Sequence, residues 1–309
     1  MDDNKNMICD LETGICKETE AEDTGLIDFS QTKKTLDVYY ITDPICSHCW
    51  AQEPVFRRFT EQYGHHFNFH TVMGGLLEKW HDGPIDPANG IYKPADVAGH
   101  WREVGVQTRM PIDGNVMIQD PVQSSFPASR VFKVIQRDHS DKMATVYLRR
   151  VREAVFVNNR NISDAAVLAD VIDDMGLDGS SIVSESEKTE AHNLLQEDFA
   201  LTAQLGARGF PTIIMINADN QGVKIVGGRS FESYVDGLEQ VMAPASPEPK
   251  QQPNLLTLLE KETFLFSREI EEMYGLAKEE VPSFVESSLK TTQYESREFL
   301  GENYFTLSK

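Results

Sequence analysis

Two cysteines separated by two residues, Cys46 and Cys49 in the run Asp43-Pro44-Ile45-Cys46-Ser47-His48-Cys49-Trp50, are the side chains of this chain best placed to do chemistry. The residues before them, Val38, Tyr39, Tyr40 and Ile41, are β-branched or aromatic and predict a buried strand that breaks at Asp43-Pro44. A helix is expected to start at the cysteines. Unpaired N–H groups and the macrodipole at a helix N-terminus favour negative charge, so Cys46 is the expected nucleophilic thiolate. Cys49, one turn on, can close a disulfide with Cys46 or resolve a mixed disulfide with a substrate. His48, when protonated, would add to thiolate stabilisation. Pro54 is expected to kink this helix without ending it.

Other uses of the cysteines have to be weighed. Cys9 and Cys16 have six residues between them, a spacing that fits no common zinc pattern, yet with Cys46 and Cys49 they complete four thiols. They are read as exposed thiols able to form or exchange disulfides, with a shared zinc site as the alternative. A zinc knuckle would need a second close pair downstream, and Cys49 is the last cysteine. His65, His66 and His70 have no carboxylate or cysteine beside them in sequence and are read as surface or packing residues.

The elements that must position the thiols follow from periodicity. His66 to Val72 alternates and predicts a second strand, followed by Met73-Gly74-Gly75. Residues 80–127 are rich in Gly, Pro and Asp, with a helical piece over Pro94 to Met110. Apolar residues recur at helical spacing in two segments between Ala128 and Phe156. A helix capped at Ser163-Asp164 ends near Gly176, and another runs from His192 to Leu205. Gly209-Phe210-Pro211-Thr212 then leads into a β-hairpin, residues 213–217 and 223–228, and a helix from Phe231 to Val241. Pro211, just before a strand, suggests a cis peptide or an ordinary trans proline at a strand start. Trp50, Trp80 and Trp101 are read as core, with a place beside a substrate groove as the alternative.

The order strand, CxxC helix, strand, helical insertion, proline, hairpin, helix is that of an α/β thioredoxin-like fold interrupted by a helical domain. The octapeptide from Asp43 to Trp50, Val72-Met73-Gly74-Gly75, Gly209-Phe210-Pro211-Thr212 and Gly227-Gly228 before the closing helix resemble the DsbA family of thiol-disulfide oxidoreductases, in particular its cytoplasmic FrnE-like branch. The resemblance covers about residues 36–242. It implies Cys46 as nucleophile, Cys49 as resolving thiol, His48 as the tuner of the thiolate and Pro211 as a cis proline facing the thiols. It also implies that Gly209, Phe210 and Thr212 border a groove for extended peptide, and that the substrates are protein thiols or disulfides, with a redox-active disulfide in place of a cofactor.

Composition bounds the setting. A chain of 309 residues with 49 acidic and 29 basic side chains, net −20, is a poor match for nucleic acid or an anionic membrane. It has no apolar run of about 18 residues, and its first residues lack the basic start and apolar core of a secretory signal, so the cytoplasm is the expected compartment. The domain reading is an acidic mobile arm over 1–34, a DsbA-like domain over 35–242 with its insertion at about 76–208, a Pro-rich linker over 243–253 and a small module over 254–309. The last is read as mainly α and similar to a winged helix. Residues 243–309 hold seven basic against twelve acidic side chains, which favours a protein contact over DNA. Such a tail behind a DsbA-like domain resembles the SpxH adaptors, which deliver an Spx regulator to the ClpXP protease. An adaptor requires a surface and no chemistry, whereas the intact cysteine pair points to an enzyme. The tail is expected to recruit a protein and to stand apart from the redox domain, with packing back onto that domain as the alternative.

Overall fold

The computed structural model describes residues 6–9, 16–19, 36–81, 85–86 and 89–308. Residues Met1–Lys34 form one compact unit and Thr35–Lys309 another. In the first, β1 (Asn6–Cys9) and β2 (Cys16–Thr19) pair antiparallel with Cys9 opposite Cys16. The rest of the expected acidic arm, and the readings of the Cys9 and Cys16 side chains, lie outside the described residues.

In the second unit, β3 (Asp37–Thr42) is the central strand that delivers the thiols. Its alternation serves two covered faces: Val38 and Tyr40 pack with Phe56, Phe59 and Tyr234, while Ile41 packs with Val72 and Ile214. The chain turns at Asp43-Pro44 into α1 (Ser47–Tyr63), which Pro54 does not end, and returns as β4 (Asn68–Met73), parallel to β3.

The insertion is helical: α2 (Pro94–Thr108), α3 (Val116–Gln119), α4 (Phe126–Asp138), α5 (Asp141–Phe156), α6 (Ala165–Asp173), α7 (Gly179–Ser186) and α8 (Thr189–Gln204). Asp164 caps α6 by accepting from the Ala166 N–H, as its position ahead of the apolar run predicts. The hairpin β5 (Thr212–Ile216) and β6 (Gly222–Val226) follows, and α9 (Phe231–Met242) closes the domain. The sheet order is β4-β3-β5-β6, with β5 antiparallel to β3. This is the thioredoxin-like α/β architecture with a helical insertion expected from the element order.

The C-terminal region adds α10 (Leu255–Lys261), β7 (Leu265–Phe266), α11 (Ser267–Tyr274), α12 (Val281–Ser288), β8 (Tyr294–Phe299) and β9 (Glu302–Leu307). Its strands form a sheet of order β7-β9-β8, a wing beside the helices. It has its own apolar core around Leu258, Ile270, Val285 and Phe305.

The expectation that this tail stands apart is corrected by its packing. Phe264 and Phe266 belong to the same buried cluster as Trp50 and Phe156, and the Phe266 ring meets Trp50 edge-on at 6.3 Å. Arg109 reaches across to Glu271 and Glu302 at 2.7 and 2.8 Å, and Arg58 to Glu272 at 3.3 Å. The expected linker lies along the domain too, with Lys250 N–H donating to Gln62 O at 2.7 Å. Among the described residues no helix is long and apolar enough to cross a membrane.

Candidate functional site around the cysteine pair

Cys46 is the N-cap of α1, and its sulfur accepts the Cys49 backbone N–H at 3.2 Å. Both are free thiols, 5% and 0% exposed, and only Cys46 lines the adjoining groove. That groove holds about 470 Å³. His48 stands exposed at its rim with its ring 5.5 Å from that of His100; Gly209, Phe210, Trp80 and Trp101 form walls. Trp50 is buried core with its indole N–H donating to Pro111 O, so the tryptophans divide between the two roles.

The two glycine-bearing motifs meet physically. A Cβ on Gly74 would lie 2.0 Å from the Phe210 ring, so only glycine lets that ring close over the end of β4. The Phe210–Pro211 peptide is cis. Pro211 and Thr212 are buried beside the groove, where the Thr212 hydroxyl donates to Gly209 O at 2.7 Å. Gln52 on α1 accepts from the Arg229 N–H and donates to Arg229 O, which fixes the turn after the second glycine pair.

Arg152 on α5 is the buried cation of the site, 1% exposed. It donates to Glu53 at 2.8 Å, to Asp43 O at 3.2 Å and to the Thr42 hydroxyl. Burial pushes Cys46 well above the ordinary thiol value, and the hydrogen bond and charge of Cys49 push the same way, against the Cys49 N–H and Arg152. Burial also raises Cys49, but the Cys46 thiol, Arg152 and Thr42 outweigh it and leave Cys49 lowered. The two thiols titrate as a pair, and the pair's first negative charge settles beside Arg152. The helix N-terminus thus contributes through a real N–H bond to Cys46, and burial outweighs it. Burial and the charge of His100 lower His48, which is therefore neutral at pH 7.

Asp43 completes the frame: fully buried, it accepts from the N–H groups of Ile45 and Leu76 and from the Ser125 hydroxyl. Burial raises its carboxyl above the usual range. It ties the thiol turn to the groove wall and to α4. Sequence reasoning missed Asp43, His100 and Arg152. For Arg152 the signal was present, since it lies on the apolar stripe of Leu148, Val151 and Val155. The histidines read as surface residues separate: His70 pairs with Asp37 at 2.8 Å and stacks on Tyr39, and the His66 ring lies 2.9 Å from Glu248 O.

A family model described as thioredoxin matches residues 39–236. Among characterised proteins, a ClpXP adapter protein SpxH from Halalkalibacterium halodurans is 29% identical, with 88% of each chain covered. The SpxH adapter of Shouchella clausii is 28% identical over 94% of this chain and 91% of its own. Among solved structures, the cytosolic disulfide reductase DsbM from Pseudomonas aeruginosa superposes with a TM-score of 0.52 at 19% identity, over 66% of this chain and 98% of its own.

Proposed function

The chain belongs to the thioredoxin family whose model spans residues 39–236, and we propose that within it the protein is an SpxH-type adaptor that binds an Spx-like transcription regulator and presents it to the ClpXP protease. The observation that carries this reading is the extent of the likeness. The disulfide reductase is used up after 66% of this chain, whereas the SpxH adapters run on through 88% and 94% of it. What the reductase lacks, the adapters share, and here that extra part is built into the interior through Phe264 and Phe266. The burial of both thiols fits a scaffold better than a fast exchanger, since attack on a protein disulfide needs an accessible thiolate. This reading puts the protein in the cytoplasm, with no nucleic-acid or membrane ligand.

The test is reconstitution. Added to ClpXP and an Spx-like regulator, the full chain should speed degradation at least tenfold, and a Cys46→Ser/Cys49→Ser double variant should do the same. No acceleration refutes the adaptor reading; acceleration lost in the double variant would make thiol chemistry part of delivery. A second reading, a thiol-disulfide oxidoreductase acting on protein thiols or disulfides, is favoured by Cys46 facing the groove with Cys49 behind it and Arg152 beside the pair. Insulin reduction by the full chain above that of Cys46→Ser would support it.

A further inference from the structure

The thiol site and the C-terminal region share one carboxylate. Glu53 sits one turn after Cys49 on α1 and gives one oxygen to each of two arginines of α5: Oε1 accepts from Arg152 at 2.8 Å and Oε2 from Arg149 at 2.7 Å. Arg152 goes on to the Thr42 hydroxyl and Asp43 O, beside the thiols. Arg149 goes on in the other direction, donating to both oxygens of Glu269 on α11 at 3.0 and 3.1 Å. Arg57 makes a parallel link, 3.3 Å from Glu269 and 3.8 Å from Glu53. Glu269 is 3% exposed, so solvent screens little of its charge. A continuous row of alternating charges thus runs from the cysteine pair into the tail.

The other titratable groups that face the pair leave this row in charge. Burial holds Tyr40 of β3 and Tyr234 of α9 neutral, and His48 is neutral at pH 7. Asp43 is occupied by the Ile45 and Leu76 N–H groups and the Ser125 hydroxyl. Arg152 is therefore the cation whose charge the thiols feel, and it divides that charge with Glu53. We propose that Glu269 is a positioning residue for the cysteine pair: it holds Arg149 and Arg57 toward the tail, which keeps Glu53 committed to Arg152 and limits the positive charge that reaches the thiols. With Glu269 neutralised, Arg149 and Arg57 lean on Glu53, Arg152 is released toward the thiols, and a thiolate there is favoured. The lost negative charge acts in the same direction through space. The coupling is reciprocal, so a thiolate on the pair weakens the docking of α11 by the same factor. The tail thereby senses the ionisation of the thiols.

The experiment is the pH profile of iodoacetamide alkylation at the Cys46/Cys49 pair, in the full chain carrying Cys9→Ser and Cys16→Ser. Glu269→Gln keeps an oxygen to accept the Phe266 N–H and should move the midpoint down by at least about 0.5 pH unit, about threefold more thiolate below it. Arg149→Met should move it up, because the row then loses a cation. A tail that was merely loosened would move both variants the same way. Glu272→Gln, which breaks the separate contact of α11 with Arg58, should move the midpoint by less than about 0.2 unit. Circular dichroism establishes that each variant is folded; if Arg149→Met is not, the comparison of Glu269→Gln with Glu272→Gln decides. The proposal is overturned if Glu269→Gln leaves the midpoint in place or raises it, if folded Arg149→Met lowers it, or if Glu272→Gln moves it as far as Glu269→Gln does.

Discussion

Replacing Arg149 by methionine tests whether the tail is clamped by buried charge. Arg149 is 5% exposed and meets Glu53 at 2.7 Å, Glu153 at 2.6 Å and Glu269 of α11 at 3.0 Å, with its guanidinium over the Trp50 ring. Removing one partner of a buried ion pair costs about 3–5 kcal/mol, because the charges left behind are uncompensated. Here each carboxylate keeps a second cation: Arg152 on Glu53, Arg150 on Glu153 and Arg57 on Glu269. The lower end, about 3 kcal/mol, is therefore expected, or a fall in Tm of about 6–10 °C for a unit of this size. Burial already lifts the Glu153 carboxyl above its ordinary value, so the folded protein holds that proton more tightly than the unfolded chain and loses stability as pH rises through that range. Without Arg149 the lift grows, and the deficit of the variant should be smaller at about pH 5 than at about pH 7.5. Urea unfolding at both pH values measures it, and a double-mutant cycle with Glu269→Gln should give a coupling of at least about 1 kcal/mol. A loss below about 1 kcal/mol, or one that does not change with pH, would refute the clamp.

Truncation after Met242 should strip Phe264 and Phe266 from the cluster that holds Trp50 and leave Arg149 without Glu269, giving an aggregating or early-melting product; a soluble truncate melting with the full chain would contradict this. Gly74→Ala places a methyl 2.0 Å from the Phe210 ring and should cost about 1–3 kcal/mol in urea unfolding, relieved in a Gly74→Ala/Phe210→Ala double variant. His48→Ala should leave iodoacetamide rates at the thiols unchanged from neutral pH upward and alter them only in acid, where His48 with its lowered pKa takes a proton; a change at alkaline pH would show that the ring acts otherwise than through charge.

Local pattern determined a large part of this protein. The period-two run of β3, the break at Asp43-Pro44, the helical spacing of α4 and α5, the Asp164 cap and the strand, helix, strand, insertion, hairpin order are properties of neighbouring residues and were legible as sequence. The placement of Cys46 at the start of α1 was legible for the same reason. The strands of the C-terminal wing were not, although the module was read as similar to a winged helix: in β8 the residues Glu295, Ser296, Arg297 and Glu298 are all exposed, so an edge strand with no buried face leaves no apolar alternation to read. Nor could the sequence say which charge serves the thiols, since Arg152 comes from an insertion helix and His48, their neighbour in the chain, is held neutral. The docking of the tail was likewise decided in three dimensions. Glu269 and Phe266 look like any amphipathic surface until Arg149 and Trp50, brought from distant segments, remove water from between them. Periodicity records which face of an element is apolar; which partner covers that face, and which charges are buried together beneath it, is fixed only when the whole chain closes.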